Sequence, residues 1–232
     1  MEIRGFQKTS LVDYPGEICS TIFVGGCNLR CPFCFNRDLV LDPDNQPSYS
    51  EEEVFAFLKK RLNIQGALCI TGGEPSLQKD LASFLARAKA LGLKIKLDTN
   101  GTFPQVLGEL LEGGNLDYIA VDIKAPAQKY AQLAGKEVDY GKVARTISLL
   151  KNSSVKYEFR TTVVPGLLER VDLVEIAKGL QGSRQYVLQQ FRPVATVLDE
   201  GLMSQRPYTR EEIEKVALQC RPFVENVLLR GF

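Results

Sequence analysis

The sequence predicts an α/β fold built on a parallel sheet of about six strand–helix units, with a β-hairpin in front of it. Three observations predict it. Short continuous apolar runs such as residues 66–71 mark strands covered on both faces. Apolar residues at helical spacing, as in Leu81, Phe84, Leu85, Ala88 and Leu91, alternate with those runs. The alternation repeats at regular spacing from Ile18 onward. Six units fall short of the eight of a closed barrel. Periodicity alone leaves an open (β/α)6 barrel and a doubly wound sheet both standing.

Taken in order, residues 2–8 and 18–24 are β-rich runs joined by Leu11-Val12-Asp13-Tyr14-Pro15-Gly16, whose Pro-Gly pair signals a turn. Residues 42–47 form a polar surface linker. Ser50 and Glu53 make a capping box in front of Val54, Phe57, Leu58 and Leu62, which predicts a helix over 51–62. The strand at 66–71 follows, then the helix through Leu91, closed by Gly92. Residues 93–97 are the next strand. A helix through Val106, Leu107, Leu110 and Leu111 ends at Gly113-Gly114, and 116–121 is a strand again. A longer connection carries a helix with Val143, Ile147 and Leu150 before the strand at 156–164. A helix through Leu173, Ile176, Ala177 and Leu180 leads to the strand at 185–191, and a second capping box, Thr209 with Glu212, opens a final helix through Cys220. One domain is expected over 1–232, with a hairpin extension at 1–17, a core at 18–195 and a C-terminal helix and tail at 196–232.

With 232 residues, 44% apolar and 25% charged, the chain has ordinary globular composition. A net charge of +1 speaks against a broad nucleic-acid or membrane-surface footprint. The residues Met1-Glu2-Ile3-Arg4-Gly5-Phe6 lack an apolar core of signal-peptide length, and no run approaches the length of a membrane span. The expected location is the cytoplasm, where thiols stay reduced and clustered cysteines read as metal ligands.

The chemistry is concentrated in Cys27-Asn28-Leu29-Arg30-Cys31-Pro32-Phe33-Cys34. Three thiolates on one short loop suit a soft metal, and a [4Fe–4S] cluster held by three cysteines keeps one iron open. The alternatives are a plain electron-transfer cluster and a structural zinc site. Zinc takes four Cys or His ligands. The chain has no histidine, so zinc would need Cys19, Cys69 or Cys220, each of which reads as packing.

Polar clusters fall where strands end: Thr71-Gly72-Gly73-Glu74-Pro75, Asp98-Thr99-Asn100-Gly101, Asp122-Ile123-Lys124 and Gln189-Gln190-Phe191-Arg192, with Arg160 inside a strand. Parallel α/β folds place ligands at the C-terminal strand ends. Singly, each cluster also reads as a turn or a helix cap. A charge inside a parallel strand is harder to explain that way, because burial without a partner is costly. Lys124 and Arg160 are candidates to meet a ligand carboxylate, and Glu74 with the carbonyls around Gly72-Gly73 to meet a ligand ammonium.

The C-x3-C-x2-C spacing with Phe33 before its last cysteine resembles the radical S-adenosylmethionine enzymes. The ordered set of motifs is similar to the glycyl radical enzyme activating branch of that superfamily, most closely the activases of anaerobic (class III) ribonucleoside-triphosphate reductase. That set is Ser10 to Gly16, Gly25-Gly26 with the cysteine loop to Asn36, Thr71 to Pro75, Asp98 to Gly101, Asp122-x-Lys124, Tyr130-x-x-Leu133-x-Gly135, and Arg160 with Val163-Val164-Pro165-Gly166. The resemblance implies an open partial (β/α)6 TIM-like barrel with an N-terminal hairpin extension. It also implies a [4Fe–4S] cluster on Cys27, Cys31 and Cys34, and S-adenosylmethionine as cofactor, with Phe33 against its adenine and Gly72, Gly73 and Glu74 at its methionine end. Lys124 and Arg160 become its carboxylate partners. Phe35, Asn36, Asp98, Asn100, Asp122 and Gln190 complete the cofactor-binding set.

Asp98, Thr99 and Asp122 match positions that hold a monovalent cation in pyruvate formate-lyase activating enzyme. Some members place a cofactor-contacting histidine after the last strand; here Gln190-Phe191-Arg192 occupies that region. The implied reaction cleaves the cofactor reductively to a 5′-deoxyadenosyl radical, which takes the α-hydrogen of a glycine on a partner enzyme. No second cysteine cluster is present, so electrons are expected from outside, and the resemblance implies flavodoxin or ferredoxin as their source.

Overall fold

The computed structural model describes residues 1–194 and 197–232, so the expected boundary at 195/196 lies outside the described residues. The chain divides into two compact units. The first comprises residues 1–28, 36–99 and 105–120, and the second residues 29–35, 100–104 and 121–232.

In the first unit, β1 (Ile3–Ser10) and β2 (Cys19–Val24) pair antiparallel, as the hairpin reading expects. A short helix, α1 (Arg37–Leu41), precedes the expected linker at 42–47, and a 3-10 turn at Pro43–Asn45 lies within it. The helix α2 (Glu51–Arg61) opens on the Ser50/Glu53 capping box, with both reciprocal bonds formed. It is followed by β3 (Ala67–Gly72), α3 (Leu81–Ala90), β4 (Lys94–Thr99) and α4 (Pro104–Glu112). The pairs β2 with β3 and β3 with β4 are parallel. Cys19, Ile22, Leu68, Cys69, Ile70, Ile95 and Leu97 are fully buried along these strands. Burial on both faces is why these segments read as continuous apolar runs.

β5 (Tyr118–Asp122) has residues in both units. The second unit then carries α5 (Tyr130–Ala134), α6 (Tyr140–Lys151), β6 (Lys156–Val163), α7 (Arg170–Gly179), β7 (Ser183–Gln190), α8 (Arg210–Cys220) and β8 (Val224–Arg230). β6 with β7 and β7 with β8 are parallel. Strand order follows the sequence from β1 to β8, with β1 and β8 at the edges. A doubly wound sheet reverses its order at a switch point. The unbroken order settles the choice in favour of the open barrel-type arrangement.

The segment expected as a tail after the last helix is instead β8. Its hold on the sheet is electrostatic as well as backbone. Glu158 on β6 is fully buried, and Arg230 grips both its oxygens at 2.9 Å, while Gln185 on β7 donates to Oε2 at 3.1 Å. A paired carboxylate buried this deeply is strongly dependent on its guanidinium. Arg230→Leu is expected to destabilise the protein by about 3 kcal/mol, read as a lower urea midpoint. An unchanged midpoint rejects this role for the pair. Among the described residues no helix is long and apolar enough to cross a membrane.

Candidate cofactor site

The first unit supplies Cys27, Asn36, Gly72, Gly73, Glu74, Asp98 and Thr99. The β3 exit is pressed onto the β2 exit. Gly73 N–H donates to the Val24 carbonyl at 2.8 Å and Glu74 N–H to the Gly26 carbonyl at 2.8 Å. A Cβ on Gly73 would lie 1.8 Å from the Gly26 oxygen, and Gly72 adopts φ +116° with its own Cβ position 2.4 Å from the Val24 nitrogen. Only glycine fits at either position. The Asn36 amide donates to the Gly72 carbonyl at 2.9 Å, which ties the residues after the cysteine loop to the same exit.

Glu74 is fully buried, and its Oε1 accepts from Ser76 N–H at 3.0 Å and from the Thr99 hydroxyl at 2.6 Å. Asp98 forms an ion pair with Lys96, whose side chain is 2% exposed. Lys96 is absent from the residues that sequence reasoning marked as functional. Its signal was there to see, because a lysine two residues before a strand-end aspartate lies on the same face of the strand.

The second unit supplies Cys31, Phe33, Cys34, Phe35, Asn100, Asp122, Lys124, Arg160 and Gln190. Cys34 N–H donates to the Cys31 carbonyl at 3.0 Å, so one tight turn carries both thiols. The loop is braced from α5: Arg30 N–H donates to the Ala134 carbonyl at 2.8 Å, and a Cβ on Gly135, which has φ +64°, would lie 2.0 Å from the Arg30 oxygen. This accounts for the Tyr130-x-x-Leu133-x-Gly135 motif, whose Tyr130 and Leu133 are buried. Phe33 is buried with the Lys124 ammonium 5.8 Å from its ring centroid, and Phe35 stacks on Phe191 at 5.9 Å.

Asp122 receives Arg160 Nε at 2.8 Å and Lys124 Nζ at 3.0 Å. Burial works to raise its carboxyl pKa, but the Arg160 and Lys124 cations overcome it and hold the group well below the usual carboxylate range. Burial likewise opposes the Lys124 charge, and Asp122 together with the Cys31 thiol outweighs it, keeping Lys124 firmly protonated.

Asn100 is 6% exposed, and its Oδ1 accepts from the Thr102 N–H and hydroxyl, as the turn reading of that segment expects. Gln190 donates its amide N–H to the Tyr208 carbonyl at 2.8 Å, and its Oε1 is buried without a hydrogen-bond partner among the described residues. A buried acceptor in that state suits a donor on a ligand.

Within the second unit, Cys31 and Cys34 are donors of the type a thiolate-held cluster needs, and Lys124 with Arg160 are the cations an amino acid carboxylate needs. Among the described residues no cysteine forms a disulfide, and Cys27 and Cys34 are half-buried, whereas Cys19, Cys69 and Cys220 are fully enclosed. The glycine pair is closed against the Val24 and Gly26 backbone, whereas the orphaned Gln190 oxygen suits a donor on a ligand. A monovalent cation fits less well, because Asp98 and Asp122 each already hold cationic side chains.

Comparison with known proteins agrees. The profile of the Radical SAM superfamily matches residues 21–178. A protein of Methanocaldococcus jannaschii, provisionally named a glycyl-radical enzyme activating enzyme, is 34% identical over 98% of this chain and 95% of its own length. Pyruvate formate-lyase 1-activating enzyme of Escherichia coli is 32% identical over 71% of this chain and 68% of its own. GTP 3′,8-cyclase of Aquifex aeolicus is 31% identical over 75% of this chain, with 56% of that enzyme covered. In fold, the chain is similar to Streptococcus suis SuiB bound to its precursor peptide SuiA, with a TM-score of 0.71 and 13% identity over 91% of this chain and 48% of SuiB. The chain belongs to the radical S-adenosylmethionine superfamily and, within it, to the glycyl-radical enzyme activating enzymes.

Proposed function

We propose that this protein installs a glycyl radical on a partner enzyme, with anaerobic ribonucleoside-triphosphate reductase as that partner and flavodoxin or ferredoxin as the electron donor. The observation that carries the reading is the end-to-end similarity to the M. jannaschii protein, 98% of one chain against 95% of the other. The cyclase similarity covers 56% of the cyclase and supports the superfamily more than its reaction. The choice of reductase rests on the ordered motifs from Ser10 to Gly166. The reaction belongs in the cytoplasm, where the thiols stay reduced.

When bound, the reduced [4Fe–4S] cluster and S-adenosylmethionine supply an organic radical able to take a hydrogen atom from a glycine α-carbon. The chain's own residues bind and orient. Cys27, Cys31 and Cys34 hold the cluster. Phe33 packs against the adenine, and Phe35, Asn36 and Asn100 shape the ligand's surroundings. Gly72 and Gly73 let backbone approach the methionine end, where Glu74 accepts from the ammonium. Lys124 and Arg160, pre-oriented by Asp122, meet the carboxylate, and Gln190 Oε1 accepts a hydrogen bond from the nucleoside.

The test is anaerobic. The protein is reconstituted with iron and sulfide, reduced, given S-adenosylmethionine, and assayed for 5′-deoxyadenosine and methionine, then mixed with a purified class III reductase and read by EPR. Both products and a glycine-centred doublet are expected. Products without the doublet reject this partner, and no products from a fully loaded protein reject the activity itself. Lys124→Ala is expected to keep its iron while its affinity for S-adenosylmethionine falls about 10- to 100-fold. Equal affinity would remove Lys124 from the cofactor site.

A further inference from the structure

We propose that the ammonium of Lys96 is a built-in counter-cation for Asp98, so that this enzyme binds its cofactor without a monovalent metal ion. The inference rests on the radical S-adenosylmethionine reading and goes beyond it.

Lys96 and Asp98 are two residues apart on β4 and therefore share a face of the strand. Lys96 is 1% exposed, and its ammonium pairs with Asp98 Oδ1. Its register partner on β3 is Cys69, whose sulfur lies 3.8 Å from the ammonium. Burial, reinforced by the nearby Asp98 charge, pushes the Cys69 thiol up well above its ordinary value, although Lys96 pulls the other way. The thiol therefore stays neutral, and the charge that Lys96 balances is the carboxylate. Thr99 next to it directs its hydroxyl to Glu74 at 2.6 Å.

In the second unit, Asp122 is served independently by Arg160 and Lys124. Each strand-end aspartate thus has a cationic side chain of its own. A metal ion arriving at Asp98 must either add charge to a carboxylate already neutralised or displace an ammonium with almost no exposure to water. Leaving a buried charge unpaired is strongly unfavourable. Lysine presents a compact point charge on a long stem, which is the chemistry a small monovalent cation would otherwise supply. A buried ion pair of this kind adds little net stability compared with apolar residues, so its retention beside the cofactor residues is explained by the charge it places at Asp98.

The test compares potassium, sodium and tetramethylammonium chlorides at about 0.1 M, an ionic strength held constant to fix screening. Two quantities are read: the melting temperature of the cluster-free protein, and the affinity of the reconstituted protein for S-adenosylmethionine. The native protein is expected to be indifferent to the cation in both. Lys96→Met is expected to acquire cation dependence. Its melting temperature should rise in potassium or sodium relative to tetramethylammonium, because an ion that binds only the folded state stabilises it. Its cofactor affinity should fall about tenfold in tetramethylammonium and recover in potassium or sodium.

A native protein whose affinity rises about tenfold on adding potassium overturns the proposal. So does a Lys96→Met protein equally stable and equally tight in all three salts. If that variant does not fold, the native titration still decides, and the neutral pair Lys96→Met with Asp98→Asn should fold and show no cation response in its melting temperature. A response in the neutral pair would locate the ion elsewhere and overturn the assignment. The melting arm needs no cofactor, so a failure of the radical enzyme reading leaves it interpretable.

Discussion

Replacing Cys31 with alanine is expected to abolish stable assembly of the iron–sulfur cluster. Iron after anaerobic reconstitution should fall from about four per chain to well under one, and the charge-transfer absorbance of the cluster should go with it. The expectation follows from the surroundings as well as from the motif. Cys31 is 8% exposed, sits at the start of the tight turn that ends at Cys34, and lies within electrostatic reach of Lys124. The thiols of Cys69 and Cys220 are raised by burial, Cys69 even with the Lys96 ammonium 3.8 Å away. None of the enclosed cysteines is therefore able to take its place. Full iron content in the Cys31→Ala protein would reject Cys31 as a ligand.

Gly73→Ala is expected to be the most damaging single methyl addition in the first unit. The new carbon would lie 1.8 Å from the Gly26 oxygen, so the β2 and β3 exits must separate. Separation breaks the bonds from Gly73 N–H to Val24 and from Glu74 N–H to Gly26. The combined loss of two buried hydrogen bonds and the overpacking amounts to about 3 kcal/mol or more, which lowers the melting temperature by about 6 to 12 °C. Gly66→Ala is the control, since nothing lies within 4 Å of its added carbon. It should change stability by less than about 0.5 kcal/mol. Similar melting temperatures for the two variants would show that the exits are not clamped at Gly73.

Much of this arrangement was legible because its determinants are local. The capping boxes at Ser50/Glu53 and Thr209/Glu212 involve residues three apart and are formed as expected. The double-glycine exit at Gly72-Gly73 and the strand-end polar clusters were likewise visible as short motifs. What escaped depends on distant partners. β8 has no strong alternation of its own and carries Glu225 and Arg230; it becomes a strand through pairing with β7 and through the buried Glu158. Lys96 is one of two lysines in β4; its spacing to Asp98 was visible, but only the enclosure of that face turns it into a buried charge. Glu74 reads as a ligand contact, but the sequence carried no sign that it would also bond Ser76 and Thr99.

The bond between Glu158 and Arg230 spans 72 residues of chain. At ordinary rates of translation, about 5 to 20 residues per second, Glu158 is made about 4 to 14 seconds before its guanidinium exists. During that interval the growing chain holds a carboxylate destined for the interior with no charge to meet it, and β7 offers an open edge where β8 will later add. Such an edge is a template for pairing with another chain. The order of synthesis therefore makes the second unit complete its sheet late, and slower codons between these two residues would lengthen the exposure of that edge.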